Sequence, residues 1–255
     1  SATDFQRDVD MIYQPNVPHY PKEGYHIMLE SPGGGFDEWE SRLDSYLSIY
    51  FHEFRTVAQS RSRLQTPGVI AIIDYESAGP EWEWTTINQA NLANTWRETV
   101  EEINSPTLDT RFMEFAGFEF SASDEDWADL NNDEREELAE LAWNTIGQRL
   151  YLDTLTIARE VAPNALWGYW GFPHGMINVP VSGNDQRLNN SISWLLSEVD
   201  VYCPSFYETR YVEPGSELSC TQSTPQRLVD WFLGNMSEVN RTRQAFNPTA
   251  RILPY

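Results

Sequence analysis

The run Val69-Ile70-Ala71-Ile72-Ile73-Asp74-Tyr75-Glu76 ends an apolar, β-branched stretch in two carboxylates one residue apart. Ile and Val in an unbroken row read as a strand buried on both faces, the kind found in parallel sheets. Side chains alternate along a strand, so Asp74 and Glu76 share one face and Tyr75 takes the other. Acids at the C-terminal end of such a strand stand where α/β barrels keep their chemistry. Two close carboxylates cannot both ionise freely, so one is expected to hold its proton near neutral pH. That is what a general acid in glycoside cleavage requires. The triplet alone does not assign catalysis, because Asp at a strand end also serves as a turn former or helix cap.

Two further segments share the pattern. Ala165-Leu-Trp167-Gly-Tyr169-Trp-Gly-Phe172-Pro173 reads as a second buried strand running into a loop at Pro173, and Val199-Asp-Val-Tyr-Cys203-Pro204-Ser205-Phe206-Tyr207 as a third. With the acid pair, these resemble the hyaluronidases, glycoside hydrolase family 56. The family pattern I-D-W-E, R-P-x-W, W-G-x-Y-x-F-P, S-W-L-W and Y-P-S-x-Y has counterparts here in the same order. They are Ile73-Asp-Tyr-Glu76, Gly79-Pro-Glu-Trp82, Trp167 to Pro173, Ser193-Trp-Leu-Leu196 and Cys203-Pro-Ser-Phe-Tyr207. Asp10-Met-Ile-Tyr13 looks like the family's second strand, and Gly33-Gly-Gly35 before a helix also has a counterpart.

The resemblance implies a single hyaluronidase-like barrel domain over residues 1–255. The fold is a (β/α) TIM-like barrel of the α/β class, lacking the first strand and the last strand–helix units. A partner chain or a further segment would complete it. The implied activity is endo-acting cleavage of a β-linked N-acetylhexosamine polysaccharide, hyaluronan- or chondroitin-like, by a substrate-assisted retaining mechanism without a cofactor. Glu76 would be the general acid and then the base, and Asp74 would orient and charge-stabilise the substrate acetamido group. Tyr207 would hydrogen-bond that group, and Tyr13 would contact the sugar. Ser205 shares a face with Tyr207, while Trp82 and Trp170 are candidates for the cleft wall. Gly79 stands where the family has Arg. Met176 or Asn178 stands where it has a substrate-steadying Tyr, and Asn178 is the one able to make a polar contact.

Composition narrows the partners. A formal charge of -22 from 17 basic and 39 acidic residues argues against nucleic acid. It also disfavours a polyanionic sugar at long range, so a neutral or less charged N-acetylated polymer is the better-matched substrate. No apolar run is long enough to span a bilayer, and no signal peptide is visible. Three sequons, at Asn189, Asn235 and Asn240, favour a secreted, glycosylated protein. An inward Cys203 could hardly reach Cys220, so a free buried thiol is expected. The four histidines show no ligand spacing, and no metal is expected. Asp129, Asn131, Asp133 and Glu140 echo a calcium loop, but Glu134 at its sixth position makes a capped helix start the better reading.

Two rivals share these features: a chitinase-like hydrolase, and a catalytically decayed glycan-binding or structural extracellular protein on the same barrel.

The elements that must position these residues alternate. Strands are expected at Val9–Tyr13, Gly68–Asp74, Leu166–Tyr169, Val199–Pro204 and Arg251–Tyr255. Helices are expected at Phe36–Ser60, Asn132–Val161 and Pro225–Val239, with a mixed loop and helix region over Ala78–Thr110. Such alternation implies a parallel sheet or barrel.

Overall fold

The computed structural model describes residues 9–13, 33–75, 79–83, 90–119, 126–174, 183–205 and 225–253. The elements run β1 (Val9–Tyr13), α1 (Gly35–Ser60), β2 (Ile70–Asp74), α2 (Ala90–Asn104), α3 (Thr110–Ala116) and α4 (Asn132–Val161), then β3 (Leu166–Tyr169), α5 (Gly183–Ser191), α6 (Ser193–Leu196), β4 (Val201–Tyr202), α7 (Pro225–Phe246) and β5 (Arg251–Ile252). The chain divides into two compact units, Ser1–Ile12 with Ser62–Asp74 and Ala162–Tyr255, and Tyr13–Arg61 with Tyr75–Val161. Each unit is stitched from separate segments, so no linker composition marks the division.

The first unit carries the strands. β1, β2 and β3 form one sheet in that order, and β4 pairs with β5. β2 runs parallel to β3 and β4 parallel to β5. A parallel bridge from Trp170 to Cys203 links the two pairs. Spatial order therefore follows sequence order without the reversal that marks a doubly wound sheet, which is the barrel succession. Among the described residues β1 and β5 do not pair with each other. Alternate side chains from all five strand segments meet in one cluster. Ile72, Val201, Cys203 and Leu253 are buried at its centre, with Val9, Met11, Ile70, Leu166 and Trp170 packed around them. Each such aliphatic burial stabilises by roughly 1.5–3 kcal/mol. Gly168 belongs to the same face. A Cβ there would lie 2.3 Å from the Val201 carbonyl oxygen and 3.3 Å from Cys203 Sγ, so only glycine lets β3 and β4 approach.

The second unit is helical and aromatic. Trp39, Trp96 and Trp143 are fully or almost fully buried, and rings run from Trp39 to Trp96 to Trp143 to Trp82 at centroid spacings of 5.8, 5.9 and 5.6 Å. Tryptophan here fills a core more than it lines a cleft. Helix α4 has the span expected of it. Asn131 caps it, its side-chain oxygen accepting from the amides of Asp133 and Glu134, while Glu134 returns a bond to the Asn131 amide. This capping box takes up the residues that echo a calcium loop. Asp109 caps α3 in the same way.

Several boundaries differ from expectation. β2 begins at Ile70, with Gly68 and Val69 leading in, and β4 covers only Val201–Tyr202. Helix α7 continues past Val239 to Phe246 because buried Thr242 keeps the inner face occupied and bonds back to the Glu238 carbonyl. Helices α3, α5 and α6 emerge where no separate helix was expected.

Candidate active site

Strand β2 delivers the first acid. Ile70 and Ile72 point into the shared cluster, so alternation turns Asp74 to that same inner side. Asp74 is 3% exposed. Its neighbour Tyr75 turns the other way, onto α4. The Thr154 hydroxyl already donates to the Leu150 carbonyl, so the Tyr75 hydroxyl donates to Thr154 Oγ1 at 2.9 Å. The Tyr75 ring meets Tyr151 edge-on at 5.1 Å. Glu76, Asn178, Tyr207 and Cys220 lie outside the described residues, and Tyr13 closes β1.

Three strand ends are locked beside Asp74. The Trp170 amide donates to the Ile73 carbonyl, the Gly171 amide to Cys203 and the Cys203 amide to Phe172. This lattice brings Asp74, Trp170 and the half-buried Ser205 to the C-terminal ends of neighbouring strands. Cys203 is a free, buried thiol, and burial pushes its pKa up to about 12. Past the corner, the Phe172 and His174 rings meet at 4.5 Å. The Asn189 amide then spans the His174 carbonyl and the Glu238 carboxylate, each at 2.9 Å. Arg241 grips Glu238 through two bonds of 2.7 Å.

Two expectations change here. Trp82 is a packing residue: it is 2% exposed, its amide donates to Asn144, its indole N–H donates to Glu136 Oε1, and Arg97 lies 5.0 Å above its ring. A ring so enclosed offers no face to a sugar. Arg97 binds Glu136 in a two-pronged pair, at 2.6 and 2.7 Å. These bonds from Arg97, reinforced by the one from Trp82, hold the Glu136 carboxyl below its ordinary value. The second correction concerns glycosylation. Asn189 and Asn235 are buried, and their amide nitrogens are engaged, that of Asn235 by the Trp231 carbonyl. Neither leaves room for a glycan, whereas Asn240 is half-buried.

Sequence reasoning missed Glu136, Asn144 and Gly147. The one available signal was Gly147 itself, since glycine inside a helix costs about 1 kcal/mol and calls for a packing reason. That reason is the Pro80 carbonyl oxygen, 2.4 Å from where a Cβ would sit.

A family model described as hyaluronidase matches residues 121–214. The chain is 24% identical over 194 residues to the hyaluronidase of Loxosceles intermedia, a match covering 73% of this chain and 40% of that protein. It is 27% identical over 108 residues to the inactive hyaluronidase B of Vespula vulgaris, covering 40% of this chain and 28% of that one. The matches thus span less than half the length of these relatives. A crystal structure of bee venom hyaluronidase in complex with a hyaluronic acid tetramer is similar at a TM-score of 0.63 and 19% identity, over 98% of this chain and 67% of that one. At that identity the likeness shows the fold, an α/β barrel represented here by five strands among the described residues.

Proposed function

We propose that this chain is a member of the hyaluronidase family and an endo-acting glycoside hydrolase cleaving a β-linked N-acetylhexosamine polysaccharide. The observation that carries the reading is the placement of Asp74: inward, buried and at the C-terminal end of β2, with Trp170 and Ser205 at the ends of neighbouring strands. The bee venom relative whose structure holds a hyaluronic acid tetramer supports a hyaluronan- or chondroitin-like polymer as the substrate class.

The mechanism uses no enzyme nucleophile, an exception to the two-carboxylate rule. The substrate's own acetamido oxygen attacks the anomeric carbon as Glu76 gives its proton to the departing glycosidic oxygen. Asp74 accepts from the acetamido N–H and offsets the positive charge that develops there. Glu76, now a carboxylate, takes a proton from the water that opens the cyclic intermediate, and the anomeric configuration is retained. Tyr207, Tyr13 and Asn178 are the proposed polar contacts to the sugar. We place the protein outside the cell, because the bee relative is a venom protein.

New reducing ends should form from at least one of hyaluronan, chondroitin or a neutral N-acetylglucosamine polymer, and Asp74→Asn and Glu76→Gln should each remove that activity. Cleavage by the Glu76→Gln variant at the wild-type rate would refute the assignment. A second reading, glycan binding without turnover, is favoured by Gly79 at the family's Arg position and by the Vespula relative named inactive. Saturable binding with no reducing ends from the wild type would establish it.

A further inference from the structure

The register of β2 on β3 brings two inward side chains together at the C-terminal ends of the strands. Ile72 stands opposite Gly168 and Ile73 opposite Tyr169, and the Trp170 amide donates to the Ile73 carbonyl at 2.9 Å. The next pair in that register is Asp74 and Trp170. Neighbouring strands lie about 4.8 Å apart, and both residues belong to the inner face. Asp74 does so by alternation with Ile70 and Ile72, and Trp170 by its packing against the cluster of Ile72, Val201, Cys203 and Leu253. On the far side of Trp170 the Cys203 sulfur turns toward Gly168, 3.3 Å from where a Cβ there would sit. Exposure separates this indole from the core rings. Trp39, Trp82, Trp96, Trp143 and Trp167 are at most 2% exposed, whereas Trp170 is half-buried. A ring that only filled the core would be enclosed as they are. The hyaluronidase pattern W-G-x-Y-x-F-P has Tyr at this position, so this chain carries a larger apolar ring there.

We propose that Trp170 is the apolar wall of the sugar site, packed against the N-acetylhexosamine whose acetamido group meets Asp74. The role rests on the functional reading above. Asp74 can take only the polar N–H of that sugar. The acetamido methyl and the C–H face of the pyranose ring need an apolar surface within a few ångströms of the carboxylate, and the indole is the side chain that the register sets there. The negative face of an aromatic ring attracts polarised C–H groups, and it attracts the positive charge that develops as the acetamido oxygen closes on the anomeric carbon. The contact acts on the hexosamine alone, so it serves a charged and a neutral polymer equally.

The test titrates tetramers of hyaluronan and of N-acetylglucosamine into the full chain, in a Glu76→Gln background that halts turnover, with Trp170 kept or replaced by Leu or Tyr. Trp170→Leu should weaken binding by about 3-fold to 30-fold, by the same factor for both tetramers. Trp170→Tyr, which restores an aromatic face, should recover most of the loss. A second measurement needs no variant at position 170. A saturating tetramer should slow N-bromosuccinimide oxidation of Trp170, located by peptide mapping, and leave half-buried Trp194 on α6 unaffected. Unchanged affinity in a folded Trp170→Leu, or equal oxidation of Trp170 with and without a bound tetramer, would overturn the role while leaving the hydrolase reading intact. A wild type that binds the tetramers without releasing reducing ends from any polymer would end the hydrolase reading, and the two measurements would still decide the wall. A wild type that neither binds nor cleaves would overturn both.

Discussion

At the end of β2, neighbouring residues part company. Asp74 turns inward and is buried, and Tyr75 turns outward and bonds to Thr154. This divergence was legible because period-two alternation is set by the backbone, whatever packs against it. The fate of Trp82 was not legible, because Glu136, Asn144 and Arg97 lie far along the chain and nothing local announces them. Glu76→Gln is expected to lower kcat by at least 100-fold with glycan affinity retained, since only the proton transfer is lost; steady-state rates with a parallel binding titration decide it. Cys203 and Tyr202 give a second prediction. Burial raises both pKa values to about 12, so the folded chain keeps protons that the unfolded chain releases. That contribution is complete below the unfolded thiol's value, roughly 8.5, and is lost as pH rises toward 12. The urea midpoint should fall between pH 8 and pH 10, less steeply in Cys203→Ala, and native Cys203 should resist alkylation at pH 8. Rapid alkylation at Cys203 itself in the folded protein, located by peptide mapping to separate it from Cys220, would contradict the buried placement.

Among the elements, the long helices and central strands announced themselves. Helix α4 carries a capping box at Asn131 and Glu134, and β3 coincides with its expected span. Helix α5 did not, because GNDQRLNNS is polar with few apolar residues to set a period; tertiary bonds such as Asn189 to Glu238 hold it instead. Strand β4 is short because only Val201 and Tyr202 pair with β5, and Cys203 is spent on the bridge to Trp170. The close approach of β3 and β4 makes Gly168 the most sensitive position in the strands. Gly168→Ala drives a methyl to 2.3 Å from the Val201 carbonyl and should destabilise the fold by about 1–3 kcal/mol. Urea unfolding measures this directly. A variant as stable as wild type would mean that the strands separate more easily than the cluster of Ile72, Val201 and Cys203 allows.

Over the whole molecule, strand order was readable from strand–helix alternation alone, while the division into two stitched units was not, since each draws on distant segments. Net charge carries the remaining argument. The chain has 17 basic residues, and among the described residues at least six arginines are committed to carboxylates: Arg42 to Glu38, Arg55 to Glu160, Arg97 to Glu136, Arg111 to Asp37, Arg149 to Asp44 and Arg241 to Glu238. Gly79 removes the basic residue the family keeps beside its acids. A polyanion approaching a body of charge -22 is repelled over the Debye length, which shrinks from roughly 30 Å at 0.01 M salt to about 8 Å at 0.15 M. A neutral polymer feels none of this. Hyaluronan is therefore expected to bind more weakly than a neutral N-acetylglucosamine polymer at low salt. Its affinity should rise as salt screens the repulsion, while that of the neutral polymer stays level. Parallel titrations of the two polymers at 0.01 and 0.15 M salt separate the cases. Tight hyaluronan binding that weakens steeply with salt would mean that basic residues gather into a local cleft strong enough to outweigh the charge of the whole.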